Sequence, residues 1–302
     1  MTMLEMTTLA PQNMPSRQVL LCVQGTAQLL AAIAAAKYRE QLFPNQVTEY
    51  ILVVYDLLAQ QQDSAFTQAI FELAEPWQFS HKVFLDASTL NQLVKSFQPR
   101  SKKIQKLQDL IGVRRVDEIY LCRDYIGYGS NFLLNAYAQA TKITYGDGYG
   151  FVCSRTFFEK YTYISQTGWQ RLVDSWQQRF KYSLKRFMGW ELPTLQFDLA
   201  LLTIPVDYCG EYLRQVDHQF VPLQVLEKIL QVTREAIAPR YTQYLQTVLE
   251  GSAIDLLLLT STFTEANYAC LENEVALYIN RIQSLVTPGS TLAIKPHPRT
   301  SA

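Results

Sequence analysis

Two short stretches of the chain carry side chains suited to moving a proton and holding an anion. Thr144-Tyr145-Gly146-Asp147-Gly148-Tyr149-Gly150 sets a single carboxylate among glycines. With no side chain on either neighbour, a substrate hydroxyl could approach Asp147 closely, which a general base requires. The same letters also suit a turn in which Asp147 bonds only to its own backbone. Leu292-Ala293-Ile294-Lys295-Pro296-His297-Pro298-Arg299 is the other stretch. Its prolines stiffen the backbone around His297, and Lys295 and Arg299 add two cations, outlining an anion site. A rigid surface turn is the alternative.

Both stretches follow apolar runs of strand length, so a sheet must position them. Gln18 to Val23 reads as a strand that breaks at Gly25, with Thr26 beside it and a helix from Ala27 to Tyr38. Strands follow at Glu49 to Tyr55, near Lys82 to Leu85, at Glu118 to Cys122 and near Lys142 to Gly146. Helices fall between them at about Ser64 to Leu73, Thr89 to Phe97 and Asn131 to Thr141. This alternation predicts an α/β fold with a mainly parallel sheet covered on both faces. Ser154 to Trp190 is aromatic and basic and reads as a connection, after which a second series opens at Asp198. That series has a helix from about Leu223 to Glu250, a strand at Ile254 to Thr260, a helix at Leu271 to Leu285 and a strand at Thr291 to Lys295. The expected domains are residues 1–190 and 195–302. Thr260-Ser261-Thr262 follows a strand, and its hydroxyls suit either a nucleotide or sugar contact or the N-cap of a helix.

Composition narrows the function classes. Lys plus Arg and Asp plus Glu both total 27 in 302 residues, so no overall field draws the protein to nucleic acid. The basic stretch Arg100 to Arg115, with Lys102, Lys103, Lys106, Arg114 and Arg115, suits either an anionic glycan or a solvated helix face. Residues 171–190 mix cations with Trp176, Phe180, Phe187 and Trp190, which fits a packing helix between domains or peripheral contact with the inner membrane surface. The five cysteines are far apart and read as reduced, buried thiols. No signal peptide or membrane-length apolar run is present, and a cytoplasmic location is expected. His81 and His218 read as structural.

The order and strand-end placement of the two motifs resemble the bacterial sialyltransferases and alpha-2,8-polysialyltransferase-like proteins. Their hallmarks are an acidic-acidic-Gly motif in the N-terminal domain and a His-Pro motif in the C-terminal domain. Gly146-Asp147-Gly148 matches the first with Gly146 in the leading acidic position, and His297-Pro298 matches the second. The resemblance implies the GT-B architecture, two Rossmann-like domains with parallel sheets facing across a cleft. Asp147 would then be the base that deprotonates the acceptor hydroxyl in an inverting displacement, with Gly25, Thr26, Gly146, Gly148 and Tyr149 on the acceptor side. His297, with Lys295, Pro298 and Arg299, would hold the phosphate of CMP leaving from CMP-sialic acid, and Thr260, Ser261 and Thr262 would contact the donor. The CMP-sugar is a co-substrate and no cofactor is expected. The sequence has no Asp-x-Asp, so no metal is expected either, because protein cations suffice for a monophosphate. The partners expected are thus a nucleotide sugar and a glycan acceptor. Only Thr300, Ser301 and Ala302 follow the His-Pro run, where the family has a Ser/Thr motif and further elements, so the C-terminal domain is expected to be incomplete. A GT-B enzyme using CMP-Kdo or a UDP-sugar, and a silent relative that only binds, are the competing readings.

Overall fold

The structure, a computed structural model, describes residues 16–55, 62, 64–122, 128–145, 188, 192–203, 216–249, 255–259, 271–287 and 289–295. In chain order the first elements are β1 (Ser16–Val23), α1 (Thr26–Glu40), β2 (Val47–Tyr55), α2 (Ala65–Ala74) and β3 (His81–Leu85). Next come α3 (Ala87–Lys95), α4 (Arg100–Ile111), β4 (Glu118–Leu121), α5 (Tyr128–Ala136), β5 (Thr141–Tyr145), β6 (Leu199–Leu202) and β7 (His218–Phe220). The last are α6 (Leu223–Leu249), β8 (Leu256–Leu259), α7 (Leu271–Leu285) and β9 (Leu292–Lys295). The chain divides into two compact units, Met1–Arg234 and Glu235–Ala302.

The first unit holds a seven-stranded sheet in the order β3-β2-β1-β4-β5-β6-β7, with every neighbouring pair parallel. Its first six strands follow the doubly wound Rossmann order, with the reversal of winding between β1 and β4. Parallel strands must be covered on both faces, and β1 accordingly reads as an unbroken apolar run, buried from Val19 to Val23. On one face Leu20, Cys22, Ile51, Val53, Tyr55, Ile119 and Leu121 pack with Leu90 of α3, Leu107 and Ile111 of α4 and Phe132 to Leu134 of α5. Helix α1, which packs on β1 and α2, buries Leu29 and Ile33 together with the alanines at 31, 32 and 34 to 36. Helix ends follow their local chemistry. The Asp86 side chain caps α3 by accepting from Thr89 N at 2.8 Å and Thr89 Oγ1 at 2.6 Å. Those bonds hold its carboxyl below the ordinary value. Helix α4 ends at Gly112, whose φ of 78° is left-handed and whose place for a Cβ lies 3.2 Å from His81 Nε2.

Two expectations change in detail. The strand opening at Asp198, read as the start of a second series, pairs through β6 with β5 (Ile143↔Leu199, Tyr145↔Leu201) and belongs to the first sheet. Leu-Ala-Leu-Leu is buried throughout, and such a run states only that the strand is internal, not which strand lies beside it. The basic stretch at 100–111 is a helix with Lys102 and Lys106 exposed, but Lys103 is inside, its Nζ donating to Val94 O at 3.1 Å. A long aliphatic stem lets the ammonium reach a carbonyl that helical spacing does not reveal.

The second unit is described in α6 from Glu235 onward and in β8, α7 and β9. Strands β8 and β9 pair in parallel, from Leu256↔Leu292 to Leu259↔Lys295. Asp255 precedes β8 and clasps the start of β9: its N donates to Thr291 O at 3.1 Å, and its Oδ2 accepts from Thr291 N at 2.8 Å. Asp117 does the same to Gln18, and Asp198 to Lys142, in the first sheet.

A buried charge group joins β1, β4 and α1. Glu118, 4% exposed, accepts from Arg39 Nε at 2.7 Å and from the Tyr120 hydroxyl at 2.9 Å, and Arg17 Nη1 lies 3.6 Å away. Both guanidinium groups rest on the Phe43 ring, 4.5 and 5.4 Å from its centroid. Burial, and then the Glu118 charge, pushes ionisation of the Tyr120 phenol well up. Removing the carboxylate would leave two cations with their main partner gone. Glu118→Ala is therefore expected to lower unfolding stability by about 3–5 kcal/mol, read as a reduced urea midpoint.

Candidate functional site

Ligands of doubly wound sheets bind beyond the C-terminal ends of the strands. At that edge of the first sheet β1 ends at Val23, and the chain turns through Gln24 and Gly25 into α1. The turn is held by Gln24 N donating to Gln28 Oε1 at 2.7 Å and Leu29 N donating to Gly25 O at 3.0 Å. Gly25, the N-cap, is extended and offers no side-chain cap, so the first N–H groups of a 15-residue helix are left to other partners. Thr26 is the first helical residue.

The neighbouring strands end on buried tyrosines. The Tyr55 hydroxyl closes β2 by sharing a hydrogen bond of 3.3 Å with Ser130 Oγ of α5. The Tyr145 hydroxyl closes β5 by donating to Cys22 O of β1 at 2.8 Å. Cys22 and Cys122 are both buried free thiols, as expected, and burial pushes the Cys22 thiol far above its ordinary value. A thiol so raised is no nucleophile. Among the described residues no three His, Cys, Asp or Glu side chains gather as a metal-binding group, and no helix is long and apolar enough to cross a membrane.

Of the expected site residues, the structure brings Gly25 and Thr26 to the C-terminal end of β1, beside β4. Lys295 is the last residue of β9. Gly146, Asp147, Gly148, Tyr149, Thr260, Ser261, Thr262, His297, Pro298 and Arg299 lie outside the described residues. The strand bounds nonetheless fix where they depart along the chain: Asp147 is the second residue after β5, Thr260 the first after β8 and His297 the second after β9. Sequence reasoning missed the roles of Tyr55, Ser130 and Tyr145 at the same edge. The one signal for them is that a tyrosine inside a buried strand must find its hydroxyl a partner.

The opposite edge has a hollow of about 550 Å³ where Gln18, Glu49, Ser80, His81, Arg114 and Arg115 meet. Several of its groups are already engaged: Glu49 accepts from Gln18 Nε2 at 2.9 Å, and outside the hollow Ser80 donates to Tyr50 O and Arg114 pairs with Asp109. Neither Gly25 nor Thr26 lines it.

The family model described as Alpha-2,8-polysialyltransferase (POLYST) matches residues 20–302, and so spans both motifs. No curated protein matches the chain.

The fold itself does not demand a glycine at position 25. A Cβ there would meet only Phe66 Cζ, at 3.8 Å, and any residue adopts the extended backbone. Gly25→Ser is thus expected to leave stability unchanged or raise it by a few tenths of a kcal/mol through the new cap, measured by thermal unfolding. A loss beyond about 1 kcal/mol would show that packing requires the glycine.

Proposed function

Since the chain belongs to the alpha-2,8-polysialyltransferase family, which implies a sialyltransferase-like glycosyltransferase, we propose that it transfers sialic acid from CMP-sialic acid to a glycan acceptor hydroxyl. The reaction is a single displacement with inversion, needs no metal, and serves synthesis of a surface or capsular polysaccharide. The observation that carries this reading is the family match itself, which covers the Gly-Asp-Gly and His-Pro motifs together. The Rossmann strand order of the first sheet supports it, as does the departure of both motifs from the C-terminal ends of parallel strands.

The chemistry divides between the motifs. The Asp147 carboxylate takes the proton of the acceptor hydroxyl while that oxygen bonds to the anomeric carbon of the sialic acid. The bond from the anomeric carbon to the CMP phosphate oxygen breaks at the same time. His297, assisted by Lys295 and Arg299, neutralises the charge that gathers on the departing phosphate. Pro298 stiffens the His297 turn, and Thr260, Ser261 and Thr262 contact the donor. Gly25, Thr26, Gly146, Gly148 and Tyr149 flank the acceptor. The reading carries with it a GT-B arrangement, a cytoplasmic setting, and residues 171–190 as the stretch suited to the inner membrane face.

Asp147→Asn is expected to lower turnover by about 10²–10⁴-fold. The assay is CMP release from CMP-sialic acid with a sialylated acceptor, beside a circular dichroism spectrum that stays native. Unchanged turnover would remove Asp147 from the role of base. Release from CMP-Kdo or a UDP-sugar, with none from CMP-sialic acid, would replace the donor.

A further inference from the structure

The Tyr145 hydroxyl bonds across a strand. β4 lies between β1 and β5, and its last pairings are Leu21↔Tyr120 on one side and Leu121↔Thr144 on the other. Cys22 and Tyr145 are each one residue beyond those pairings, where β4 no longer joins its neighbours. The bond of 2.8 Å from Tyr145 Oη to Cys22 O spans that gap. Thr144 and Tyr145 are both fully buried, so the end of β5 is clamped by packing as well as by the bond. The residue at one end lies three before Gly25, and the residue at the other lies two before Asp147.

We infer that Tyr145 is a positioning residue for the transfer reaction, its hydroxyl holding the departure point of the Asp147 segment at a set distance from the β1–α1 turn. The inference rests on the reading of Asp147 as the base. Proton abstraction needs donor and acceptor atoms within hydrogen-bond reach, and a base displaced by about 1 Å loses on the order of 10²-fold in rate. A phenol donating to a main-chain carbonyl suits this task because the ring is rigid and the carbonyl belongs to an internal strand. Phenylalanine keeps the ring and removes the hydroxyl that makes the tie.

The test is a cycle of Tyr145→Phe, Asp147→Asn and the double variant, with kcat and KM for CMP-sialic acid and amide hydrogen exchange at Gly146 to Gly150. Tyr145→Phe is expected to lower kcat by about 10–100-fold with KM for the donor unchanged, and to quicken exchange at those amides by about tenfold. In the Asp147→Asn background the same change should cost nothing further, because a residue acting only through the base has nothing left to position. 4-Aminophenylalanine at position 145 returns an N–H donor and is expected to restore kcat. Should the Phe variant fail to fold, 4-fluorophenylalanine against 4-aminophenylalanine makes the same comparison at similar volume. Wild-type kcat in Tyr145→Phe beside an inactive Asp147→Asn overturns this inference alone, as does an equal penalty in both backgrounds. Full turnover by Asp147→Asn overturns the base and its positioning residue together. Unchanged amide exchange overturns the tie whatever the turnover.

Discussion

The register of β1 between β2 and β4 decides where every other element of the first unit falls. The strand is internal and buried on both faces, so its apolar residues alone would tolerate a slide. Polar groups remove that freedom. Arg17 and Glu118 lie on the same face, beside Arg39 of α1. Moving β1 by one residue would carry the Arg17 guanidinium to the face that packs on α3, α4 and α5, which is lined with leucine and phenylalanine. In place its nitrogens make no hydrogen bond but lie beside the Glu118 carboxylate and over the Phe43 ring, whereas on the other face it would have no counter-charge at all, at a cost larger than an apolar mismatch could return. Buried ion pairs contribute little net stability compared with apolar replacements, so the group is better understood as specifying one register among several.

A second device repeats at the start of strands. Asp117, Asp198 and Asp255 each precede a strand and accept from one backbone N–H at the start of the strand beside it. In a parallel α/β sheet that edge faces the C-terminal ends of the covering helices, where partial negative charge disfavours a free carboxylate. A carboxylate there is tolerable when it is hydrogen-bonded, and the Oδ2 of each of these accepts a backbone N–H. Asp147 follows its strand instead of preceding it. The edge where it departs collects helix N-termini, whose partial positive charge stabilises an anion without consuming its lone pairs.

Much of the fold was legible because parallel sheets write strands as short apolar runs and helices as longer mixed ones. The runs at Gln18–Val23 and Glu49–Tyr55 became β1 and β2, and the capping residues Ser64 and Asp86 stand where α2 and α3 begin. Partners were not legible. Leu199–Leu202 looks the same beside any strand, and Arg17 meets Glu118 across a hundred residues that no local pattern connects. The candidate motifs were legible only as places along the chain, since a turn rich in glycine or proline after a strand marks a departure from the sheet. The geometry of the sheet edge was not, because Tyr145 and Tyr55 are indistinguishable in sequence from ordinary core aromatics until their hydroxyl partners are known.

The two edges of the sheet hold themselves together by different chemistry. At the N-terminal edge the described links are charged: Glu118 with Arg17 and Arg39, Asp117 with the Gln18 backbone, Asp198 with Lys142. At the C-terminal edge around β1, β2 and β5 they are neutral: Gln24 to Gln28, Tyr55 to Ser130, Tyr145 to a carbonyl. Neutral bonds fix backbone positions without creating a field that would hold a nearby carboxylate permanently charged or permanently protonated. Asp86, which follows β3 at the same edge, brings a carboxylate there, but it is taken up in capping α3 and so leaves the neutral links around β1, β2 and β5 as they are.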